Sequence, residues 1–197
     1  PSNGVQTDVL LVESTYGDRL HPQEDEGERL RALITETAER GGKLIIPSFA
    51  IGRVEEVLYA IKKLEDSHRI STVPVYVDSP MALQALQFYQ RHAHELDDDI
   101  QKRRGEVCAF CTARFTPVAT PQESREVVEG RGPAIVISSS GMATGGRVLH
   151  HLAKALPDPR NTVLFVGFQA AGTRGRQLIE GAQEVKIHGH FIPVQAR

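Results

Sequence analysis

Small polar residues and arginines gather in five short segments of the sequence. The segments are ESTYGDR (13–19), PSFAIGR (47–53), DSPMA (78–82), SSSGMATGG (138–146) and GFQAAGTRGR (167–176), and each follows an apolar run. Small hydroxyls, guanidinium groups and the backbone N–H groups at helix starts are the groups with which proteins bind phosphate. The segments therefore predict a site for a ligand with several phosphates, with positive charge supplied by Arg53, Arg147, Arg174 and Arg176.

Each segment taken alone also has a purely structural explanation. Gly and Ser are required at strand-to-helix turns for turning and capping, and SSSGMATGG is neither a G-x-G-x-x-G motif nor a Walker loop. Glu13 stands at the end of an apolar run, beside two hydroxyl residues and Tyr16. It is either a capping or salt-bridging acid, or a carboxylate that handles protons or orients a ligand in a cleft. The phosphate site is favoured because all five segments share one composition.

The elements that must position these segments alternate along the chain. Short apolar runs predict buried strands, and apolar residues at helical spacing predict amphipathic helices. The polar stretch 97–120 predicts a short helix and one weak strand. The predicted strands are 7–13, 43–49, 73–78, 133–139 and 161–168, the predicted helices are 24–42, 52–66, 79–96, 121–130, 145–156 and 173–181, and 182–196 is predicted to form two strands joined by a Gly turn.

This alternation predicts an α/β fold with a largely parallel, doubly wound sheet and helices on both of its faces. In such sheets, ligands bind at the carboxyl ends of the strands, where the helices begin. All five polar segments should therefore lie along one edge of the sheet. The 197 residues, 40% of them hydrophobic, suffice for one domain, or for one domain with fragments of another.

The histidines do not form a recognisable metal site in the sequence. His188 and His190 form an H-x-H pair that could bind zinc, but no third ligand follows, and an exposed hairpin explains the pair better. The neighbours at 150–151 point about 100° apart on a helix, so only one of them can face the edge of the sheet. His92 and His94 lie on a polar helix face and are given no role. No local motif suggests a Ser-His-Asp arrangement, so the chain shows no complete catalytic centre.

Composition limits the protein class and its setting. The net charge of −2 does not indicate a nucleic-acid binder, so any polyanion site must be a local cluster. Cys108 and Cys111 form a single C-x-x-C and are expected to be ordinary half-buried cysteines without a redox or zinc role. Two cysteines and no signal-like segment predict a reducing, cytoplasmic location. No apolar run approaches the ~20 residues of a membrane helix.

Six motifs of the chain occur in the same order in a known family. They are VESTYGDR, IPSFAIGRVEEVL, VYVDSPMA, SSSGMATGGRVLHHL, NTVLFVGFQAAGTRGRQL and EVKIHGHFIPVQA. Over essentially its full length, the chain closely resembles the β-CASP region of RNA-processing nucleases with a metallo-β-lactamase fold. The resemblance is to a prokaryotic-type member of the branch related to the pre-mRNA 3′-end cleavage endonuclease. In that family the β-CASP domain is inserted late in a metallo-β-lactamase domain, and two zinc ions lie between the two domains.

The resemblance implies how the chain divides. Residues 1–17 and 177–197 correspond to short terminal strands of the metallo-β-lactamase domain, and 18–176 corresponds to the β-CASP domain. The family's zinc ligands, an H-x-H-x-D-H motif with further His and Asp residues, do not occur here, so the chain looks like an excised piece. Two zinc ions are expected in the full-length parent and none in this chain, which should be inactive alone. The implied ligand is single-stranded RNA, and the implied parent is a cytoplasmic nuclease that could form a homodimer.

The resemblance also implies roles for individual residues. Glu13 matches the family's first β-CASP motif, an acid at the edge of the active site. Gln177 stands where eukaryotic relatives have the His of the second β-CASP motif, so no proton-donor role is assigned to it. The expected contacts to RNA phosphates are Arg53, Ser139, Ser140, Gly141, Thr173 and Arg174, and no residue is expected to bind metal.

Other functions are compatible with the same residues. SSSGMATGG could bind the phosphate of a mononucleotide in a self-contained module, and the chain could equally be an interaction domain without a ligand. Within the family, a nuclease that processes DNA is a further alternative. Salt separates the first of these from an RNA binder, because binding through several phosphates weakens steeply as salt rises.

Overall fold

The fold is described from a computed structural model, which describes residues 4, 6–18, 20, 27–101 and 108–197. Helices and strands alternate along the described chain, and Ala93–Glu95 forms a 3₁₀ turn. The helices are α1 (Glu28–Glu39), α2 (Arg53–Asp66), α3 (Pro80–Arg91), α4 (Asp98–Gln101), α5 (Pro121–Glu129), α6 (Val148–Ala155) and α7 (Arg174–Ile179). The strands are β1 (Lys43–Pro47), β2 (Val75–Asp78), β3 (Phe115–Pro117), β4 (Ala134–Ser138), β5 (Thr162–Val163), β6 (Glu184–Ile187) and β7 (His190–Pro193).

The main sheet is parallel and has the strand order β3-β2-β4-β1-β5. Its centre is β4, in which Val136 is the partner of Ile45 on one side and of Tyr76 on the other. β6 and β7 form a separate antiparallel hairpin, with Val185 opposite Ile192. Both the parallel sheet and the terminal hairpin agree with the sequence prediction.

Helices cover both faces of the sheet. Successive side chains of a strand point to opposite faces, and β1 shows the consequence. Leu44 packs in one core with Leu58 of α2. Ile45 packs in a second core with Leu152 of α6 and Val185 of the hairpin. This arrangement confirms the predicted α/β, doubly wound sheet.

Two helix starts at the carboxyl ends of strands, those of α3 and α5, are capped by side chains. Ser79 accepts a hydrogen bond from the N–H of Ala82 at 3.3 Å, and Pro80 occupies the first turn of α3. Thr120 and Glu123 form a reciprocal capping box at the start of α5. Among the described residues, no helix combines the length and the apolar character that crossing a membrane requires.

The predicted buried strand at 7–13 is wrong. These residues have no regular secondary structure, and Val9 and Leu11 are 73% and 92% exposed. A strand needs a neighbour that satisfies its backbone N–H and C=O groups. None of the described strands lies beside this segment, so its apolar residues remain in contact with water.

The predicted strand at 161–168 is much shorter in the structure. Only Thr162–Val163 pairs with β1, followed by one more hydrogen bond from Leu164 N to Ile45 O at 2.9 Å. Continuing the same register would place Phe165 opposite Pro47, which has no backbone N–H to donate. The rest of the segment therefore leaves the sheet as a loop.

Two predicted helices also have different bounds. The prediction for 79–96 becomes α3, which ends at Arg91, followed by the 3₁₀ turn. The prediction for 145–156 becomes α6, which begins at Val148, because Gly146 adopts φ +78° in the preceding turn. A Cβ on Gly146 would also lie 3.0 Å from the carbonyl oxygen of Ser139.

The two cysteines are half-buried, as expected, but they form a disulfide. The segment between them is a turn, in which Cys111 N donates to Cys108 O at 3.2 Å. A turn directs both side chains to the same side, whereas a strand would direct them to opposite faces. The low number of cysteines was one reason to expect a reducing, cytoplasmic location, and a disulfide is not typical of such a location. The cytoplasmic location stays a prediction.

Candidate functional site

The five polar segments meet at the carboxyl edge of the parallel sheet. We call the residues 13–18, 48–52, 79, 139–147 and 164–173 the loop edge. Ser139 Oγ donates to Ser79 Oγ at 2.8 Å, which joins the loops after β4 and β2. The rings of Tyr16 and Phe168 meet edge to face, with centroids 6.2 Å apart. The sequence prediction that these segments share one edge is therefore correct.

Phe49 is the packing centre of the loop edge. A Cβ added to Gly141 would lie 2.9 Å from Phe49 N and 3.0 Å from its ring. A Cβ added to Gly167 would lie 3.1 Å from the same ring. At Gly141 a side chain would collide with the backbone of Phe49, whereas at Gly167 the Phe49 ring would have to move by a few tenths of an ångström. Both glycines therefore lie close against the loop after β1.

The hydroxyls of the 139–147 loop are partly used within the loop. Ser140 Oγ lies 3.0 Å from Thr144 Oγ1 and accepts a hydrogen bond from Thr144 N at 3.2 Å. Ser139 bonds to Ser79, and both Ser139 and Ser140 are half-buried. Gly141 is buried against Phe49. The structure thus brings together three of the predicted phosphate contacts in one compact turn.

Arg174 holds this turn against its neighbours. Its Nη1 donates to the carbonyl oxygens of Ala143 and Thr144 at 3.1 and 3.2 Å, and its Nε donates to Lys186 O at 2.5 Å. Thr173 caps α7, since its Oγ1 accepts from Arg176 N at 3.2 Å. The predicted contacts at 173 and 174 therefore lie next to the 139–147 loop and also have clear structural tasks.

Arg53 and Glu13 lie at the start and the rim of the loop edge. Arg53 is the first residue of α2, after Gly52 with φ +80°, and it pairs with Glu56 of the same helix. Glu13 is exposed, and its Oε1 accepts from Thr15 N at 2.5 Å. The hydrogen bonds with Thr15 lower the pKa of Glu13 below its ordinary value, so it is a carboxylate near neutral pH.

A buried polar network beneath the loop edge was missed by the sequence analysis. The Asp78 carboxylate, fully buried at the end of β2, accepts from Ser124 Oγ at 2.5 Å and from Arg147 Nη1 at 2.8 Å. His151 Nε2 lies 2.7 Å from the same carboxylate. Arg147 also donates to the carbonyl oxygens of Val118 and Ala119. Arg147, expected to supply charge for phosphate, is thus engaged with the protein itself.

The network acts on Asp78 in two opposing ways. Burial raises its pKa, but hydrogen bonds from His151, Ser124 and Arg147 outweigh burial and lower the pKa below the ordinary value of 3.8. The charged carboxylate therefore ties α5 and α6 to the end of β2. The available sequence signal was an acid closing an apolar strand together with a His on the apolar stripe of a helix.

The histidine pair of α6 is divided between interior and surface. His151 is buried beside Asp78, whereas His150 is exposed, and its ring stacks on that of His188 with centroids 4.5 Å apart. The expectation that only one of the two could face the sheet is confirmed. His188 and His190 are both exposed in the hairpin, as expected.

The loop edge does not fit a zinc pair. Among the described residues, three His, Cys, Asp or Glu ligand atoms converge within 4.8 Å only at His92, His94 and Glu95, and these are not in the loop edge. Asp78 lies below the edge but is fully engaged by its network. The arrangement offers hydroxyls, arginine, close-packed glycine turns and the exposed carboxylates of Glu13 and Asp18. These groups have the chemistry for binding phosphate, and the described residues of the loop edge hold no cluster of three metal ligands.

Comparison with known proteins shows which family and which relatives this chain is similar to. The family model described as the Beta-Casp domain matches residues 54–178. Ribonuclease TTHA0252 of Thermus thermophilus is 36% identical over 199 residues, covering 100% of this chain and 46% of that protein. An RNase J-like protein of Methanocaldococcus jannaschii is 38% identical over 196 residues, or 98% of this chain and 44% of that protein.

A third relative is named as a transcription termination factor and not as a ribonuclease. Transcription termination factor FttA of Pyrococcus abyssi is 36% identical over 189 residues, covering 92% of this chain and 28% of that protein. The chain therefore spans less than half the length of these three curated relatives.

Proposed function

The chain belongs to the Beta-Casp domain family of metallo-β-lactamase-fold RNA nucleases, and from this premise we propose that it binds and positions single-stranded RNA in a metal-dependent RNA-processing nuclease. The observation that carries the proposal is the loop edge itself. Five polar segments, far apart in sequence, are joined at one edge of the sheet by Phe49, by the bond between Ser79 and Ser139 and by the ring contact of Tyr16 with Phe168. A rim of this composition suits a chain of phosphates better than one small ligand.

The proposed binding is independent of base sequence. Arg53, at an exposed helix start, would contribute positive charge, and Ser139, Ser140 and Gly141 would bring small groups close to a phosphate. Contacts of this type hold the backbone of a nucleic acid without identifying its bases. Thr173 and Arg174 would act mainly by shaping the 139–147 loop, because their polar atoms already bond to the protein.

Hydrolysis is assigned to the parent protein rather than to this chain. The loop edge does not fit a zinc pair, so we propose that the two zinc ions of the family would be held by ligands outside these residues. Glu13, ionised and exposed at the rim, would lie at the border of that centre. The isolated chain is accordingly proposed to bind RNA but not to cut it.

The proposed division of the chain is 1–17, 18–176 and 177–197. The family match at 54–178 supports a β-CASP portion in the middle. α7 (Arg174–Ile179) spans the proposed boundary at 176.

RNA binding by this chain tests the proposal directly. We expect a fluorescently labelled single-stranded oligoribonucleotide to bind, with an affinity that falls as salt rises by a log–log slope of about −0.7 per phosphate contacted. Arg53→Gln should make this slope about 0.7 shallower. The matched control is Arg160→Gln. Arg160 is exposed, pairs with Asp158 and lies just before β5, at the amino ends of the strands and away from the loop edge.

Other outcomes point to the other candidate functions. Stoichiometric binding of ATP or GMP with little salt dependence would favour a mononucleotide module. Tighter binding of single-stranded DNA than of RNA would favour a DNA-processing enzyme. If no nucleic acid binds and Arg53→Gln changes nothing, the proposed RNA path is wrong.

A further inference from the structure

The end of α3 carries a group of side chains that the proposed RNA function does not use. Within the described residues, His92, His94 and Glu95 each direct a potential metal-binding atom to a common point, with all three atoms within 4.8 Å of one another. Ser79 caps the opposite end of α3 at the loop edge. The helix has 12 residues and rises about 1.5 Å per residue, or about 18 Å in all, so this group lies well away from the RNA path.

The distances within the group match a transition-metal site. His92 Nδ1 lies 3.0 Å from Glu95 Oε1, and His94 Nε2 lies 3.4 Å from the same oxygen. Zinc bonds to nitrogen and oxygen are about 2.0–2.2 Å long, so two ligand atoms on a tetrahedral ion are roughly 3.3 Å apart. An ion could therefore enter with only small rotations of exposed side chains.

The backbone under the group is well defined. α3 ends with a hydrogen bond from His92 N to Phe88 O at 3.1 Å, and Glu95 N donates to His92 O at 2.9 Å in the 3₁₀ turn. The Phe88 ring stacks on the His92 imidazole, with centroids 4.3 Å apart, and fixes one ligand in place. The turn thus presents the three side chains on a preformed frame.

The local charge also favours a cation. The segment HAHELDDD (92–99) carries carboxylates at 95, 97, 98 and 99. Histidine is largely neutral at pH 7 and is then the common ligand of zinc. The two imidazoles already share one Glu95 oxygen without a metal, and an exposed His–Glu pair contributes little to stability.

We propose that His92, His94 and Glu95 form a surface site for a divalent transition-metal ion such as Zn²⁺, with water completing the coordination. The site would tie the end of α3 to the following 3₁₀ turn. It is independent of the proposed RNA function, because none of its residues belongs to the loop edge. Imidazole and carboxylate ligands suit zinc, and nickel or copper after it, better than magnesium or calcium.

Metal titration of this chain tests the site. The chelator-treated protein is titrated with Zn²⁺ in a calorimeter and with Co²⁺ by visible absorption, and its melting temperature is measured with and without Zn²⁺. We expect one site for each metal, tetrahedral-type Co²⁺ absorption and a higher melting temperature with Zn²⁺. His92→Gln, His94→Gln and Glu95→Gln should each abolish these effects. Melting without metal should stay unchanged in the His94 and Glu95 variants, whose side chains are exposed, whereas the His92 variant also loses the stacking on Phe88.

The matched control is the other histidine pair on the surface. The ring centroids of His150 and His188 are 4.5 Å apart. Among the described residues, this pair is not part of a group of three potential metal ligands. The double variant His150→Gln/His188→Gln should retain the site. Absence of Zn²⁺ binding by the wild-type chain, retention of binding in the Glu95→Gln variant, or loss of the site in the control variant would each overturn the proposal.

Discussion

At the residue scale, Asp78 determines how the elements beneath the loop edge are connected. It is fully buried and is held by Ser124 of α5, by Arg147 in the turn before α6 and by His151 of α6. Removing one partner from a buried pair is costly, since the remaining charge stays in a poorly solvated place. The network therefore stabilises the fold rather than serving the ligand directly.

Asp78→Asn should destabilise the chain by about 3 kcal/mol at pH 7, the lower end of the range for breaking a buried ion pair. Because the folded-state pKa of Asp78 is lowered, its contribution is present above the unfolded pKa, near 3.8, and is lost as pH falls through the folded value. Urea unfolding should be measured from pH 7 to pH 3. The difference in free energy of unfolding between wild type and Asp78→Asn should become smaller at acid pH.

A surface pair provides the control for this measurement. Glu129→Gln breaks the exposed pair with Lys154, at 2.7 Å, and should leave the stability nearly unchanged, because water screens the pair. Equal losses in the two variants, or a difference that does not change with pH, would show that Asp78 is not held as a charged group.

At the scale of elements, Arg174 connects three parts of the chain. One guanidinium group bonds to the 139–147 loop and to β6 from the first residue of α7. Lysine would keep the charge but cannot reproduce the planar set of donors. Arg174→Lys should therefore cost about 1–3 kcal/mol, as expected for hydrogen bonds from a charged donor, and should be measured by urea unfolding.

The neighbouring arginine on the same helix is the comparison for Arg174. Arg176 forms an exposed pair with Glu180 at 2.6 Å, so Arg176→Lys should change the stability by no more than about 0.5 kcal/mol. If both lysine variants are equally stable, Arg174 does not hold the loop, and a direct phosphate contact becomes the better explanation of its position.

At the scale of the whole molecule, the proposed function separates the path of the substrate from the metal centre. In ribonuclease TTHA0252 and the RNase J-like protein, the region that matches this chain is less than half of the protein. We expect labelled single-stranded RNA to be cut by the full-length parent with added Zn²⁺ or Mn²⁺, and not by this chain. Chelator should stop the parent's activity. Metal-dependent cutting by the chain alone would show that Glu13 and the histidines form a centre of their own.

An apolar segment near the start of the chain is exposed to water. Val9, Leu10, Leu11 and Val12 are between 70% and 92% exposed, which is unusual for a continuous apolar run. Such a run resembles a strand without its neighbours. We propose that this run pairs with strands of a metallo-β-lactamase domain in a longer parent protein. The homodimer of that parent stays a prediction.

The sequence by itself determined the class of fold and the edge of the sheet at which the polar segments meet. Alternating apolar runs and amphipathic helices are local patterns, and parallel strands put the segments after them at one edge by geometry alone. The tertiary structure decided what each side chain does there. Arg147 and Arg174 look like free cations in the sequence, yet the fold places buried or carbonyl acceptors against them. Which donor meets which acceptor depends on contacts between distant residues, and local spacing carries no information about them.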